Sequence, residues 1–347
     1  MHRVGICGHF GEGKDFYDGQ TVKTKTLTEE LQNLFGTDEV TYMDTYNWKG
    51  NPFALLLRCI SIFKNSKSVI MLPAQNGLKI FIPLFIILNR IFKRRIYYVV
   101  IGGWLPDYLD NQRKYLNGLK NFDCIFVETL SMSNKLQKLG LNNVSVMPNF
   151  KKISILSKSE LSMVSEKPFK LCTFSRVLKE KGIEDAINAV IKINSSAGRE
   201  VYVLDIYGQI APDYEDTFHE IMTASPDYIN YKGVIPYNKV VDILKDYYLM
   251  LFPTYYIGEG FAGTILDAFA SGLPVVASDW RYNSELIQDG KTGRIIPCKN
   301  VEKLAETLLY YMENQEEIKY MREKCIDEAY KYTPENAIEY LYKCLND

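Results

Sequence analysis

Residues 249–279 read LMLFPTYYIGEGFAGTILDAFASGLPVVASD, and this stretch decides the fold. An apolar strand leads into a glycine-rich loop, and the loop leads into a helix of about nine residues. Gly272 and Pro274 end that helix, and a second apolar strand follows them. Two buried strands joined by a helix are typical of a parallel sheet that helices cover on both faces.

The same alternation of apolar runs and helix-length segments extends along most of the chain. It predicts strands at residues 3–7, 39–43, 68–72, 96–101, 124–128, 144–148, 169–175, 201–208, 228–234, 248–254 and 274–279. We therefore predict an α/β protein of two doubly wound, Rossmann-like parallel-sheet domains facing a central cleft. The predicted parts are domains at 1–155 and 168–332, a polar, Ser- and Lys-rich linker at 156–167, and a final helix at 333–347, which we expect to pack back toward the first domain.

Composition and charge are those of a globular protein with two unlike halves. The 347 residues are 47% hydrophobic and 24% charged. Residues 1–150 carry a net charge of +6 and the remainder −7, so we expect the halves to bind different partners. The seven cysteines are scattered, without a C-x-x-C pair or histidines at metal-binding spacing, and the N-terminal residues lack a secretory pattern. We expect a cytoplasmic protein with reduced thiols and no metal site.

A basic, apolar segment contributes much of the positive charge of the first half. Residues 79–95, KIFIPLFIILNRIFKRR, join an apolar run to a basic cluster. The run is too short to cross a bilayer, which takes about 20 residues. Such a helix either lies on an anionic membrane surface or packs in the core with its basic end in solvent, and the sequence favours neither.

Residues 8–16, GHFGEGKDF, nearly match a phosphate-binding P-loop. Gly8, Gly13 and Lys14 fit that pattern, whereas Asp15 stands where a Ser or Thr is needed to hold magnesium. A carboxylate at this place repels phosphate, and the obvious helix begins later than in a P-loop. The stretch therefore argues against an NTPase and needs another explanation.

The loop within residues 249–279 has the features of an anion site. Its three glycines let the backbone approach a ligand, and the next helix offers free amide groups at its N-terminus. They are Gly258, Gly260 and Gly263. Glu259 is unfavourable in such a loop unless it binds neutral groups such as sugar hydroxyls. The polar stripe of Thr264, Asp267 and Ser271 on the helix is more typical of a solvated face than of a site.

Two cations follow an earlier strand, in the stretch FSRVLKEKGIEDAI at residues 174–187. Arg176 comes directly after the strand, and Lys181 stands just before a helix. An Arg fork and a mobile Lys charge can together neutralise a diphosphate. An isolated turn of this kind is more often simply solvated, but the glycine-rich loop in the same domain favours a joint site. The chain has no D-x-D pair, the usual sequence sign of a metal ion on the diphosphate.

These segments together resemble the retaining, nucleotide-sugar-dependent glycosyltransferases of the GT-B fold, the large group often called family four. The motifs that carry the resemblance are EGFAGTILDAFASGLPVVASD, SRVLKEKG earlier in the chain, and VMPNF before the linker. The resemblance covers essentially the whole chain and is strongest over residues 168–300. It implies a GT-B fold and the transfer of a sugar, with retention, from a nucleoside-diphosphate sugar to an acceptor.

The resemblance also implies roles for individual residues. Glu259 stands at the first Glu of the family motif, which contacts hydroxyls of the donor sugar. Asp267, one methylene shorter, stands at the second Glu, which contacts the ribose. Arg176 and Lys181 match the family's diphosphate-binding pair, and with Glu259 they are the catalytic candidates. The other donor-binding candidates are residues whose backbone approaches the donor: Gly11, Gly13, Gly208, Gly258, Gly260, Phe261, Ala262, Gly263 and Thr264.

In the family, the loop after the first strand faces the donor diphosphate and the acceptor, which implies that role for residues 8–16. His9 and Lys14 are therefore acceptor-side candidates. The family often has a histidine near the donor sugar, at the end of a strand of the N-terminal domain. Here IGGWLPD occupies that place, and Trp104 or Asp107 is the candidate replacement.

The resemblance further implies that no cofactor or metal is needed and that UDP, then GDP, is the expected donor nucleotide. The basic first half is expected to bind a saccharide or lipid-linked acceptor in surface or capsular polysaccharide synthesis, and no nucleic acid. The expected location is cytoplasmic, or peripheral at the inner membrane face through residues 79–95. Two alternatives stay open: a sugar phosphorylase or epimerase of this fold, and a non-catalytic partner protein of this fold.

Overall fold

The chain forms two compact units in the computed structural model, which describes residues 1–11, 19–161 and 167–346. The first unit is built from Met1–Lys152 together with Tyr332–Asp347, and the second from Ile153–Lys331. The predicted site residues Gly13 and Lys14 and part of the predicted linker lie outside the described residues.

The first unit contains a six-stranded, wholly parallel sheet in the order β2-β1-β3-β4-β5-β6. The strands are β1 (His2–Gly8), β2 (Val40–Asp44), β3 (Ser66–Met71), β4 (Arg95–Val99), β5 (Cys124–Val127) and β6 (Val144–Val146). In register, Val4 lies between Val40 and Ser68. All six strands were predicted, because each is a short apolar run of a strand buried on both faces.

Helices cover this sheet, and two of them begin at a capping side chain. They are α1 (Gly19–Phe35), α2 (Pro52–Asn65), α3 (Gln75–Phe92), α4 (Leu105–Asn111), α5 (Leu116–Leu119) and α6 (Leu130–Lys138). Asn51 caps α2 by accepting from the Ala54 amide, and Thr129 caps α6 by accepting from the Met132 amide. Within the described ranges, no helix is long and apolar enough to cross a membrane.

The second unit also contains a six-stranded parallel sheet, in the order β12-β11-β10-β7-β8-β9. Its strands are β7 (Phe169–Phe174), β8 (Tyr202–Tyr207), β9 (Ile229–Gly233), β10 (Leu249–Phe252), β11 (Val275–Ser278) and β12 (Gly293–Ile296). Strand β12 was not predicted, because its four residues include Arg294 and do not form an apolar run. The chain runs from β7 outward in one direction and from β10 outward in the other. Ligands of open parallel sheets bind at such a switch point, outside the carboxyl ends of the strands.

In the described part of the second unit, seven helices pack around this sheet. They are α7 (Ile183–Ala197), α8 (Glu215–Ala224), α9 (Val240–Leu244), α10 (Gly263–Ala270), α11 (Asn283–Leu286), α12 (Val301–Glu313) and α13 (Gln315–Ala329). The core lies between the sheet and helices α7, α12 and α13, where Ile187, Leu304 and Met321 are buried. Segment 153–161 also belongs to this unit, since the Leu156 amide donates to the Ala270 carbonyl at 2.9 Å.

The end of the chain returns to the first unit as α14 (Pro334–Ala337) and α15 (Glu339–Asn346). Ile338, Leu341 and Leu345 enter the hydrophobic core there. The Tyr342 ring stacks on Phe35 of α1, with ring centroids 5.2 Å apart. The last helix is therefore part of the packing of the first unit.

Candidate donor-binding site

The three catalytic candidates lie at the switch point of the second sheet. Arg176 and Lys181 follow β7, and Glu259 follows the neighbouring strand β10. Because the strands are parallel, both connections leave the sheet at the same edge. The fold thus brings together residues that are far apart in the sequence.

A buried ion pair forms the centre of this site. Lys181 Nζ donates to Glu259 Oε2 at 2.6 Å, and both side chains are less than a tenth exposed. The Thr254 hydroxyl, fully buried, lies 3.0 Å from the same carboxylate oxygen. Burying either charge alone would be costly, so each holds the other in place. Thr254 is a site residue that no sequence motif indicated.

Tyr256 lies against both cations. Its ring centroid is 5.5 Å from Arg176 Cζ and 5.2 Å from Lys181 Nζ, within cation–π distance. A Cβ on Gly258 would come within 2.7 Å of the Tyr256 ring, so the glycine leaves room for that ring. The only sequence signal for Tyr256 is its place in an aromatic pair just before the glycine-rich loop.

The loop that carries Glu259 is held from both neighbouring connections. The Tyr255 amide donates to the Glu180 carbonyl at 2.7 Å, which joins the loop to the turn after β7. The Trp280 indole donates to the Tyr256 carbonyl at 2.7 Å, and the Ser278 hydroxyl donates to the Thr254 carbonyl. Such anchoring fixes the carboxylate before any ligand arrives, as preorganised electrostatic sites require.

Gly208, directly after β8, allows the chain to pack closely against the end of β7, the strand that leads to Arg176. Its φ is +139°, and a Cβ there would lie 1.7 Å from the Ser175 carbonyl oxygen. Its amide donates to the Gly233 carbonyl at 2.9 Å. Only glycine combines this positive φ with so close an approach to the Ser175 carbonyl. The donor-site candidate Gly208 therefore lies where β8 and the end of β7 approach each other.

Helix α10 begins at Gly263, directly after the predicted loop residues. Gly260, Phe261 and Ala262 are buried there, and the Thr264 hydroxyl donates to the Phe174 carbonyl at the end of β7. The first turn of α10 is therefore attached to the strand that leads to Arg176. This arrangement presents the amino end of a helix at the switch point, where it favours an anion.

The prediction of a solvated polar stripe on this helix was wrong. Asp267 is 2% exposed and Ser271 is fully buried, because α10 packs against α9 and α13. The Ser271 hydroxyl donates to the Asp267 carbonyl at 2.7 Å. Burial, and then the charge of Asp267, raise the pKa of Tyr237 to about 12, so the carboxylate lies near that phenol.

The described first-unit candidates, His9, Gly11, Trp104 and Asp107, lie after the carboxyl ends of strands of the first sheet. His9 Nδ1 is 2.8 Å from the Thr21 hydroxyl of α1, and its ring meets Tyr46 edge-on at 5.6 Å. Gly11 has a φ of +67°, which favours glycine. Trp104, after β4, donates its indole N–H to the Ile101 carbonyl at 2.9 Å.

Asp107 lies in the first turn of α4, three residues beyond Trp104. Each of these described first-unit candidates therefore has a defined place at the carboxyl side of the first sheet.

All seven cysteines are free thiols, and five of them are buried.

Comparison with known families identifies the chain. Residues 157–332, about half of the sequence, match the family described as glycosyl transferases group 1. The chain therefore belongs to this family, as its motifs indicated. The matched range contains the whole cluster of Arg176, Lys181 and Glu259.

Curated relatives match mainly over part of their length. The chain is 32% identical over 183 residues to the UDP-N-acetylglucosamine–peptide N-acetylglucosaminyltransferase GtfA subunit of Streptococcus pneumoniae serotype 4, covering 51% of this chain and 35% of that protein. It is 29% identical over 189 residues to the poly(glycerol-phosphate) alpha-glucosyltransferase of Bacillus subtilis, covering 53% and 26%. The chain thus spans about a third or less of the length of these relatives.

Solved structures confirm the fold. Anabaena Alr3699/HepE in complex with UDP superposes with a TM-score of 0.77 at 15% identity, covering 100% of both chains. The pneumococcal O-GlcNAc transferase GtfA in complex with UDP and GlcNAc gives a TM-score of 0.64 at 22% identity, covering 84% of this chain and 58% of that one. The predicted GT-B fold of two Rossmann-like parallel-sheet domains is therefore confirmed.

Proposed function

We propose that this protein is a retaining glycosyltransferase that uses a nucleoside-diphosphate sugar. The observation that carries the proposal is the cluster of Arg176, Lys181 and Glu259 at the switch point of the second sheet. Two cations and a carboxylate match the two parts of such a donor. The cations suit its diphosphate, and the carboxylate suits its sugar hydroxyls.

The proposed chemistry is mainly electrostatic. Arg176, Lys181 and the amino end of α10 stabilise the charge that develops as the bond between sugar and phosphate breaks. The leaving phosphate oxygen then takes the acceptor proton on the same face, so the configuration at the sugar is retained. Glu259, held by Lys181 and Thr254, positions the sugar for this step. We propose that no metal ion or cofactor is required, because Arg176 and Lys181 would supply the positive charge that the diphosphate needs.

UDP is the proposed donor nucleotide, with GDP next. Support comes from relatives: the pneumococcal relative is named for UDP-N-acetylglucosamine, and the Anabaena protein was solved with UDP. The proposed acceptor is a saccharide or lipid-linked saccharide of a surface polysaccharide. The name of the similar Erwinia amylovora protein, an amylovoran biosynthesis glycosyltransferase, agrees with this. We place the reaction in the cytoplasm, at the inner membrane face.

A thermal-shift panel tests the donor site first. UDP, GDP, ADP, CMP and ATP are each added with and without magnesium to the wild type, to Arg176→Ala and to the control Arg199→Ala, which changes an exposed arginine of the same unit. We expect one nucleoside diphosphate to raise the melting temperature without magnesium, and only Arg176→Ala to lose this shift.

The other outcomes distinguish the alternative functions. Magnesium-dependent stabilisation by ATP alone would indicate a P-loop enzyme. No shift with any nucleotide would indicate a non-catalytic partner protein. A nucleotide shift followed by sugar consumption without a glycosylated product would indicate a phosphorylase or an epimerase.

A further inference from the structure

The outer faces of helices α2 and α3 carry exposed apolar side chains. They are Phe53, Leu56 and Leu57 on α2, and Ile80, Ile87 and Ile91 on α3. We call these six residues the α2–α3 surface. An exposed apolar surface of this kind marks a site of interaction with a partner or a membrane.

The two helices lie side by side, so their outer faces form one surface. The Phe63 ring of α2 meets the Phe85 ring of α3 edge-on at 5.0 Å. Beyond the end of α3, Arg94 Nε donates to the Phe63 carbonyl at 3.0 Å. The helices therefore run in the same direction, with their carboxyl ends together. The inner faces are packed, since Cys59, Phe81 and Phe85 are buried.

The segment of chain that contains α2 and α3 carries charge of one sign. Between Asp44 and Asp107 the chain contains no acidic residue at all, and it contains nine basic ones. These are Lys49, Arg58, Lys64, Lys67, Lys79, Arg90, Lys93, Arg94 and Arg95. The second unit, in contrast, is acidic overall. The positive charge is therefore concentrated on the part of the chain that exposes the apolar side chains.

We propose that the α2–α3 surface binds the surface of an anionic lipid bilayer. The apolar side chains enter the boundary between headgroups and acyl chains, and the exposed basic residues on α3 and just after it, Lys79, Arg90 and Lys93, attract the anionic headgroups. A second copy of this chain is a poorer occupant, because a symmetric contact would place two basic surfaces against each other. The membrane contact expected of residues 79–95 is thus extended to α2.

This inference rests on the proposed function in one respect, since a membrane surface is where a lipid-linked acceptor is found. It uses none of the donor-site residues. The two proposals can therefore fail separately.

Vesicle co-sedimentation tests the proposal. The full chain is mixed with vesicles of phosphatidylcholine alone or with about one-third phosphatidylglycerol. We expect binding only to the anionic vesicles, and release at about 0.5 M salt because the charges are then screened. Equal binding to both kinds of vesicle, or to neither, would overturn the proposal.

Two variants locate the binding surface. Ile87→Ser with Ile91→Ser removes apolar side chains, and its matched control is Leu309→Ser, an exposed leucine on α12. Lys79→Gln with Arg90→Gln removes two charges, and its control is Arg199→Gln with Lys319→Gln on the second unit. We expect each surface variant to weaken vesicle binding at least tenfold and each control to leave it unchanged.

Nucleotide binding and oligomeric state complete the test. The surface variants should keep the nucleotide thermal shift, and Arg176→Ala should keep vesicle binding. This result separates a failure of the membrane proposal from a failure of the donor site. Surface variants that bind vesicles like their controls would contradict the proposal. A dimer that Ile87→Ser with Ile91→Ser dissociates, without lipid binding, would instead assign the surface to a second copy.

Discussion

Glu259 is held by two side chains, Lys181 from the connection after β7 and Thr254 from its own connection after β10. Lys181 and Thr254 both contact its Oε2 atom, at 2.6 Å and 3.0 Å. Lys181 therefore pairs with the Glu259 carboxylate in this structure, and in the proposed reaction it also binds the diphosphate of the donor. Each of the two buried charges is neutralised by the other, because an unpaired buried charge would be strongly destabilising.

Glu259→Gln tests the role of this carboxylate. The amide keeps the shape of the side chain but removes the charge that orients the sugar. We expect turnover to fall by roughly 10²–10³-fold, while the nucleotide thermal shift persists because Arg176 and Lys181 remain. Release of nucleoside diphosphate from the donor sugar measures turnover. Glu316→Gln, at an exposed position on α13, is the control, and a Glu259→Gln enzyme as active as this control would contradict the assignment.

Tyr256→Leu tests whether the aromatic ring positions the two cations. Loss of two cation–π contacts, each worth about 0.5–1 kcal/mol, should weaken nucleotide binding by roughly 5- to 30-fold. Tyr256→Phe keeps the ring and should bind like the wild type. Isothermal titration with the nucleotide measures the affinity. Equal affinities for Tyr256→Leu and Tyr256→Phe would show that the ring does not position Arg176 and Lys181.

Among the secondary-structure elements, the position of the end of β7 depends on close packing against its neighbour β8. Gly208→Ala should lower the free energy of unfolding of the second unit by about 1–3 kcal/mol, because the added Cβ strains the backbone. It should also reduce the nucleotide shift, since the strand end that carries Arg176 must move. Gly198→Ala is the control: its φ is also positive, but its Cβ would meet open space. Chemical denaturation compares the two, and equal losses would contradict the steric argument.

The sequence predicted most elements but not all of them. Eleven of the twelve strands were predicted, because runs of large apolar residues are typical of strands buried on both faces. β12 was missed because Arg294 interrupts its short apolar run. The polar face of α10 was wrongly predicted to be exposed to solvent. Polar spacing alone does not show that α9 and α13 cover that face.

At the scale of the whole molecule, the two ends of the chain meet in one unit. Leu341→Ala on α15 should destabilise the first unit by about 2–5 kcal/mol, because the leucine is fully buried in its core. Amide hydrogen exchange should show the loss of protection in β1–β6. The nucleotide shift of the second unit should persist. Lys343→Ala, an exposed change on the same helix, is the control, and equal exchange in both variants would contradict the packing role of α15.

The alternation of strands and helices, the family, and the residue types that follow β7 and β10 could all be predicted from the amino-acid sequence. This is because periodicity, glycine-rich turns and short motifs are local properties of the chain. Only the tertiary structure decided that Lys181 pairs with Glu259, that Tyr256 contacts both cations, and that Asp267 is buried. These features depend on which parallel strands become neighbours, and that pairing joins residues whose separation in the sequence carries no local signal.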